Sequence, residues 1–428
     1  MSAFFCTFAP MKCFDTYYSR FQVFPAHIAE PPEPELRTIV VIPSYKEPDI
    51  RPTLLSLLSC TPTLFPVEII VVVNSSEAAP ESALQQNLIT ISQVEEIKAQ
   101  NTRSDIRIHT IHRPNLPKKH AGVGFARKIG MDEAVRRFDS IERPDGVIVN
   151  FDADSTCNTD YLKIIENYFI TNPKKEGVSI YFEHPLQGTE YPQSSYRAIA
   201  KYELYLRYFV EAQRYINFPH AFHTIGSAFA VRAWVYAAEG GMNRRQAGED
   251  FYFLEKIITR GRYGEINDAA VYPSPRVSDR VPFGTGATMG KLSNGDCEYM
   301  VYNPITFEWL KRFFASAANI KCHQKPDTDT VLEEFLIAND FYNQTDGMIE
   351  NSTSDRTFMQ RFFTWFDAFR MIKFLNFAHE QHINKVPVEE AAADMAQKMG
   401  MTNVTNNTVE LLQWYRQKQK NIISSTAI

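Results

Sequence analysis

The segment Gly146-Val-Ile-Val-Asn-Phe-Asp-Ala-Asp154 runs from an apolar, β-branched stretch directly into two aspartates. Similar β-branched runs precede it at residues 38–43, 67–73 and 106–111, with helical patterns between them. Continuous apolar runs that alternate with helices are typical of parallel strands buried on both faces. We therefore predict an α/β fold, and we expect a ligand site at the carboxyl edge of its sheet, where the two acids would lie.

The chain divides by composition into three parts. A proline-rich stretch at 25–34 precedes the first strand pattern, so we expect residues 1–36 to form an N-terminal arm and linker. Residues 37–300 carry the strand and helix patterns and are expected to form the main α/β domain. Residues 301–428 are helical and aromatic in pattern and are expected to form a C-terminal helical extension. Their apolar positions within 358–377 recur at helical spacing, and they either pack onto the main domain or form a binding or dimerisation surface.

Composition narrows the class of protein. The 428-residue chain is 44% hydrophobic and 22% charged, as in ordinary globular proteins. Its net charge of −5 argues against a broad basic surface for nucleic acid. The six cysteines include no Cys-x-x-Cys pair, so we expect reduced thiols rather than a zinc site or a disulfide framework. Neither a signal peptide nor a membrane-spanning stretch is evident, so we expect a cytoplasmic protein, and peripheral contact with the inner face of the membrane stays open.

The two aspartates that close the opening segment are candidate metal ligands. Hard divalent cations such as Mn²⁺ and Mg²⁺ prefer carboxylate oxygens and usually keep several waters. In this pattern Asp154 would bind the cation directly, and Asp152 would reach either the cation or the ribose of a nucleotide. Two acids at a strand end are also common in turns, and that interpretation stays open.

Polar side chains also follow the two earlier strands. The first strand pattern ends in Pro43, Ser44, Tyr45 and Glu47, where an aromatic ring could stack on a base and polar groups could hold a ribose. The second ends in Asn74, followed by two serines. We expect these strand ends to face the same crevice as the aspartates. The alternative for the first of them is a turn set by its prolines.

A later pair of acids, Glu249 and Asp250, opens a helical pattern. Acids in the first turn of a helix are favoured by the helix dipole, which is one interpretation. The other is catalytic: Asp250 would act as a general base that takes the proton from a hydroxyl nucleophile, with Glu249 beside it.

Two arginines, Arg276 and Arg280, lie in a polar stretch beyond this helix. Guanidinium groups pair well with phosphate oxygens, so we expect one of them to bind a diphosphate as the stretch closes over it. A solvated loop is the alternative.

These features, in this order, resemble the family 2 glycosyltransferases with the GT-A fold. Such enzymes have a first strand ending in Pro-x-Tyr/Phe-Asn/Lys-Glu, a second ending near Asp or Asn, an Asp-x-Asp and a later Glu-Asp pair. The resemblance covers about residues 37–290. It implies a mixed, mostly parallel sheet flanked by helices, a UDP- or GDP-sugar donor, a divalent cation, and an inverting displacement with Asp250 as the base. Residues 122–130 resemble the family's Gly-x-x-x-Ala-Arg-Asn-x-Gly helix start, which implies that Arg127 contacts the donor.

The sequence departs from this family pattern at two points. Asn74 stands where many relatives have aspartate, and residues 272–280 contain no histidine, although many GT-A enzymes have a metal-binding histidine there. The cation would then have few protein ligands, or be dispensable.

Three other classes compete with this interpretation. A non-catalytic glycosyltransferase-like module would hold a nucleotide or a glycan without turnover. A sugar-phosphate nucleotidylyltransferase would have a glycine-rich loop after the first strand, which residues 43–47 lack, and a Rossmann dehydrogenase would need a third glycine that residues 122–130 do not place correctly. The sequence identifies neither the acceptor, whether a glycan, a lipid-linked group or a small molecule, nor the oligomeric state, a homodimer included.

Overall fold

The computed structural model describes residues 11–245, 248–276, 288–290, 292 and 298–422, and these residues form two compact units. The first unit comprises Met1–Tyr191, Thr224–Gly290 and Lys420–Ile428, and the second comprises Pro192–His223 and Lys291–Gln419. Residues 192–223, which we placed in the main domain, therefore group with the C-terminal helices. The reason is that their long helix packs against helices of the second unit. The division into an arm, a main domain and an extension otherwise stays a prediction.

The first unit is built on one mixed sheet. Its strand order is β3-β2-β1-β4-β7-β6-β8-β5. The pairs β1–β2, β2–β3, β1–β4 and β6–β8 are parallel, whereas β4–β7, β6–β7 and β5–β8 are antiparallel. The strands are β1 Thr38–Ser44, β2 Val67–Ser76, β3 Ile106–Leu116, β4 Val147–Asn150, β5 Ser155–Cys157, β6 Gly177–Phe182, β7 Phe229–Arg232 and β8 Tyr263–Pro273.

The central strands form because their sequences suit burial on both faces. Every residue of β1 and β4 is buried, and Val or Ile fills most of these positions. Their register places Val41 of β1 beside Ile70 of β2 and Asn150 of β4. Helices cover the sheet, and the predicted class, a mixed and mostly parallel sheet flanked by helices with a helical C-terminal region, is confirmed.

The helices of the first unit connect and cover these strands. The helix α4 packs against β1 and β2. Its Gly130 allows this close approach, because a Cβ there would lie 2.5 Å from Val41 Cγ1. The helices are α1 Met11–Phe21, α2 Arg51–Leu58, α3 Glu81–Gln100, α4 Val123–Ser140, α5 Tyr161–Thr171, α7 Ala233–Ala238 and α8 Glu249–Ile258.

The N-terminal helix α1 is fixed to the first unit by a buried polar cluster. Tyr17, only 1% exposed, donates a hydrogen bond to Asp132 of α4 and accepts one from Lys128 at 2.7 Å. Tyr236 of α7 also donates to Asp132, at 2.6 Å. Burial raises the pKa of the Asp132 carboxyl. Because each polar group has a partner, the cluster joins α1 to α4 and α7 without leaving an unpaired charge.

The second unit is helical and has its own aromatic core. Phe313 packs against Phe341, Phe362 and Phe366 with ring centroids 5.4–5.7 Å apart. The elements are α6 Gln193–Tyr215, α9 Ile305–Ile320, α10 Thr330–Ala338, α11 Phe341–Glu350, α12 Asp355–Trp365, α13 Ala368–Gln381, α14 Val388–Lys398 and α15 Thr408–Lys420, with a short antiparallel pair of β9 Met300–Val301 and β10 Val386–Pro387.

The aromatic pattern at 358–377 therefore belongs to two helices rather than one. The first of these helices ends at Trp365. Asp367 caps the next helix by accepting a hydrogen bond from Arg370 N at 2.9 Å. Phe358 and Phe362 are at most 1% exposed. These rings consequently pack within the core of the second unit itself, an arrangement that neither interpretation described.

Candidate active site

The carboxyl ends of β1, β2 and β4 meet at one edge of the sheet. Ser44, the last residue of β1, pairs with Val73, so that Asn74 lies one residue beyond it on β2. Asp152 and Asp154 lie just after the end of β4. The strand-end residues predicted for the site therefore share this edge, as expected for an open α/β sheet.

Asn87 of α3 holds the first two strand ends together. Its side-chain oxygen accepts from Lys46 N at 2.8 Å, and its amide group donates to the carbonyl oxygen of Asn74 at 3.0 Å. Lys46 has a φ of 51°, an uncommon conformation for a residue with a side chain. Sequence reasoning missed Asn87, since a single polar residue within a helix gives no signal of what it contacts.

Two buried hydroxyl groups at this edge have no hydrogen-bond partner among the described residues. They belong to Ser44 and Ser75, which are at most 2% exposed. Buried polar groups are nearly always paired in native proteins, so these two hydroxyl groups are candidate contacts for a ligand or ordered water. Tyr45 follows Ser44 and is half-buried. Pro43 is buried in β1, where it pairs with Val72 of β2.

Arg276 lies between two carboxylates of the site. It donates to Glu47 at 3.0 and 2.7 Å and to Asp154 Oδ2 at 3.3 Å. The antiparallel pairing of β5 with β8 brings it there, because Ser155 pairs with Pro273. Arg276, which we expected to bind a diphosphate, thus contacts acids of the candidate donor site. Arg280, the other candidate, lies outside the described residues.

Arg127 of α4 makes a second bridge, between Asp152 and Glu249. Its Nη2 lies 2.6 Å from Asp152 Oδ1, and its Nη1 is ion-paired with Glu249. The Arg127 side chain is 4% exposed and that of Glu249 is 3% exposed, whereas that of Asp152 is 36% exposed. One guanidinium therefore brings the acid after β4 and the acid at the start of α8 into the same site.

The acids at the start of α8 are poised to bind protons more tightly than usual. Burial raises the pKa of Glu249 to about 7, against the opposing charge of Arg127 and with the repulsion of Asp250. Burial also raises the pKa of Asp250, which Arg127 opposes. The Asp250 residue as a whole is partly exposed, and its Oδ1 accepts a hydrogen bond from Phe251 N at 2.8 Å.

We expect the raised pKa of Glu249 to make the free energy of unfolding depend on pH. The pKa of Glu249 is 4.5 in ordinary surroundings and about 7 in the fold, so the folded protein binds the proton more tightly than the unfolded chain. The free energy of unfolding should therefore fall as the pH rises through this window. Urea unfolding of wild type and Glu249→Gln from pH 4.5 to 7.5 checks this; equal slopes in the two proteins would contradict the shift.

Two glycines allow the arginine bridge to form. A Cβ at Gly226 would lie 2.5 Å from Arg127 Nη2, and a Cβ at Gly124 would lie 2.9 Å from Glu249 Cγ and 2.4 Å from the carbonyl oxygen of Arg245. Both clashes involve the groups that hold the site together. Sequence reasoning gave Gly124 only as part of a family motif and did not single out Gly226 as a contact of Arg127.

Gly226→Ala is expected to displace Arg127 and to lower the free energy of unfolding by about 1–3 kcal/mol, the usual cost of overpacking. The measurement is urea unfolding. Gly347→Ala is the matched control, because a Cβ at that helical glycine would meet nothing within 4 Å. The control should be neutral or stabilising by up to about 1 kcal/mol. An equal response of the two variants would rule out the steric role of Gly226.

Asp152 and Asp154 suit a hard divalent cation. Among the described residues, no group of three or more His, Cys, Asp or Glu side chains is placed to hold a metal ion. Mg²⁺ and similar ions, however, are commonly bound through one or two carboxylates together with substrate phosphates and water. The chemistry of this pair therefore fits a cation that arrives with a diphosphate, provided that Arg276 yields its contact with Asp154.

Residues 39–236 match the family model described as "Glycosyl transferase family 2". This part of the chain is therefore a glycosyltransferase family 2 domain, and the predicted family and class of enzyme are confirmed. The structure is similar to that of S. aureus TarS 1-349 in complex with UDP, at 14% identity and a TM-score of 0.37, over 87% of this chain and 97% of that one. It is also similar to TarS 1-349 in complex with UDP-GlcNAc, at 14% identity and a TM-score of 0.36, over 90% and 89%. A comparison with curated proteins returned no match.

Within the part of the chain that the structure describes, no helix combines the length and the apolar character needed to cross a membrane.

Proposed function

We propose that this chain transfers a sugar from a nucleoside diphosphate sugar to an acceptor hydroxyl, with inversion at the anomeric carbon. The observation that carries the proposal is the Arg127 bridge, which joins Asp152 after β4 to Glu249 at the start of α8. An inverting transfer needs the leaving diphosphate and the general base on opposite sides of one sugar. The bridge supports the proposal, because the two acids that it joins are next to Asp250 and two residues from Asp154 in the sequence.

Asp250 is the general base in this proposal. The acceptor oxygen attacks the anomeric carbon, its proton passes to the Asp250 carboxylate, and the bond from the anomeric carbon to the diphosphate oxygen breaks. A carboxyl with a raised pKa takes that proton more readily than an ordinary aspartate. Glu249 and Arg127 are positioning residues, because their ion pair fixes the start of α8.

The donor lies at the carboxyl edge of β1, β2 and β4. Asp154, with Asp152, would hold a Mn²⁺ or Mg²⁺ ion, which neutralises the charge that grows on the departing diphosphate. The hydroxyl of Ser44, which has no partner in the described part of the chain, would bind the nucleoside together with Tyr45 and Asn74. The diphosphate would compete with Glu47 for Arg276, since guanidinium groups bind phosphate oxygens well.

Two alternatives from the sequence remain to be tested against this proposal. Incubating the purified chain with UDP- and GDP-sugars and Mn²⁺ should release the nucleoside diphosphate. Thermal-shift measurements should show stabilisation by the matching nucleoside diphosphate, about 2.7 kcal/mol at 100 times its dissociation constant. Stabilisation without any release would favour the non-catalytic module, and exchange of pyrophosphate into the donor would favour a nucleotidylyltransferase.

The contact of Arg276 with Asp154 should weaken cation binding. We expect Arg276→Gln to bind Mn²⁺ about three- to tenfold more tightly without donor, since the change removes a competing cation worth roughly 0.6–1.4 kcal/mol. Titration of free Mn²⁺ by electron paramagnetic resonance gives the affinity. The control is Arg312→Gln, which removes an exposed pair with Asp327 in the second unit. Unchanged affinity in Arg276→Gln would mean that Asp154 does not hold the cation.

A further inference from the structure

Two cysteines far apart in sequence lie side by side in the first unit. Cys60 follows the end of α2, Cys157 ends β5, and their sulfurs are 3.7 Å apart although 97 positions separate them. Both are free thiols. Their spacing in the sequence contains no hint of this contact, which arises because the backbone after α2 runs beside the backbone after β5.

We propose that Cys60 and Cys157 are a peroxide-sensitive thiol pair that oxidises to an intramolecular disulfide. A disulfide bond is about 2.0 Å long, so the sulfurs must approach by about 1.7 Å for the bond to form. The backbones are already held together next to the pair. Thr61 N donates to the carbonyl oxygen of Thr159 at 2.8 Å, and the Thr53 hydroxyl donates to that of Ala153 at 2.8 Å.

The surroundings of the two sulfurs favour one of them as the nucleophile. The hydrogen bond from the Cys157 thiol lowers the pKa of Cys60, and the nearby Arg103 guanidinium lowers it further. Arg103 is fixed there by its contact with the backbone oxygen of Cys60 and by a 2.9 Å hydrogen bond to that of Leu58. Cys157 keeps its proton, since the interaction with Cys60 and burial raise its pKa. The thiolate is the reactive form of cysteine, so Cys60 attacks first.

The reaction balances with hydrogen peroxide as the oxidant. The Cys60 thiolate attacks one peroxide oxygen, the O–O bond breaks, and a sulfenic acid and hydroxide form. This hydroxide takes the proton of the Cys157 thiol. The Cys157 thiolate then attacks the Cys60 sulfur and expels a second hydroxide, which takes up the proton that Cys60 had released. Two thiols and one peroxide thus give one disulfide and two waters. Cys60 is 2% exposed and Cys157 is partly exposed, so a small oxidant suits this site.

Oxidation of Cys60 and Cys157 would affect the proposed donor site, because Cys157 lies close to it in the sequence. Cys157 ends the strand that begins directly after Asp154. A disulfide would fix this strand to the end of α2, beside the proposed donor site. That consequence rests on the proposed function. Formation of the disulfide does not rest on it and can be detected by mass spectrometry alone.

The test is peroxide treatment of the reduced full-length chain, followed by alkylation of free thiols and peptide mapping. We expect a linked Cys60–Cys157 peptide, an intact mass lower by two hydrogen atoms, and full reversal by dithiothreitol. Cys60→Ser and Cys157→Ser should each abolish the link, and Cys322→Ser, which removes an exposed thiol, should leave it unchanged. The oxidised chain should also unfold at a higher temperature than the reduced chain, because the link restricts the unfolded state.

Alkylation of both Cys60 and Cys157 at peroxide doses that oxidise Cys322 would overturn the proposal. So would a linked peptide that joins either residue to a different cysteine. If either serine variant failed to fold, the mapped peptides of the wild-type chain would still decide between these outcomes.

Discussion

Asp250→Asn is expected to lower the rate of sugar transfer by about 10²- to 10⁴-fold, the usual contribution of a positioned general base. Asparagine keeps the size of the side chain but cannot take a proton from the acceptor. Donor affinity should stay close to that of the wild type, because the proposed donor site lies at the ends of β1, β2 and β4. Steady-state transfer and donor titration, measured on the same preparations, separate the two quantities.

The matched control for this change is Asp355→Asn. Asp355 is also an acid in the first turn of a helix, but its side chain is 85% exposed and paired only with Lys321 among the described residues. A helix-dipole effect alone would give both variants a similar small loss of stability, within about 1 kcal/mol, and no loss of transfer. Near-normal turnover of Asp250→Asn would therefore remove Asp250 from the role of base.

Arg127→Ala is expected to destabilise the protein by about 3–5 kcal/mol, the cost of removing one partner from a buried ion pair. Without Arg127, the buried Glu249 carboxylate would lie near Asp152 and Asp250 with no compensating charge. The loss should be smaller below pH 7, where protonation of Glu249 relieves the repulsion. Urea unfolding at pH 6 and pH 8 measures both effects.

The double variant Arg127→Ala with Glu249→Gln separates charge from packing. If the unpaired charge is the cause, the double variant should regain at least half of the lost stability, because glutamine carries no charge. An unchanged unfolding midpoint in Arg127→Ala would contradict the role of the bridge. If the single variant does not fold, recovery of folding in the double variant gives the same answer.

Much of the fold could be predicted from local pattern. The β-branched runs at 38–43, 67–73 and 106–111 became β1, β2 and β3, because such runs are stable only when buried on both faces. The start of α8 at Glu249 was equally readable from its acids and the apolar periodicity that follows. The order β7-β6-β8 was not readable, since it depends on pairing between strands distant in sequence.

The sequence indicated the acids and the arginines of the candidate site, but not the contacts between them. Asp152, Asp154, Glu249 and Asp250 follow from their places at element ends. The contacts of Arg127 with two acids depend on how α4 packs against the sheet, and those of Arg276 depend on the register of β5 with β8. Local sequence carries neither piece of information. The same holds for the amide of Asn87 and for the paired sulfurs of Cys60 and Cys157.

A crystal structure with a non-hydrolysable donor analogue and Mn²⁺ would test most directly whether one sugar lies between the two sets of acids. We expect the diphosphate and the cation at Asp154, and the anomeric carbon facing Asp250 with space for an acceptor hydroxyl between them. A donor bound at this edge with its sugar directed away from Asp250, or a donor bound elsewhere on the chain, would contradict the proposed transfer.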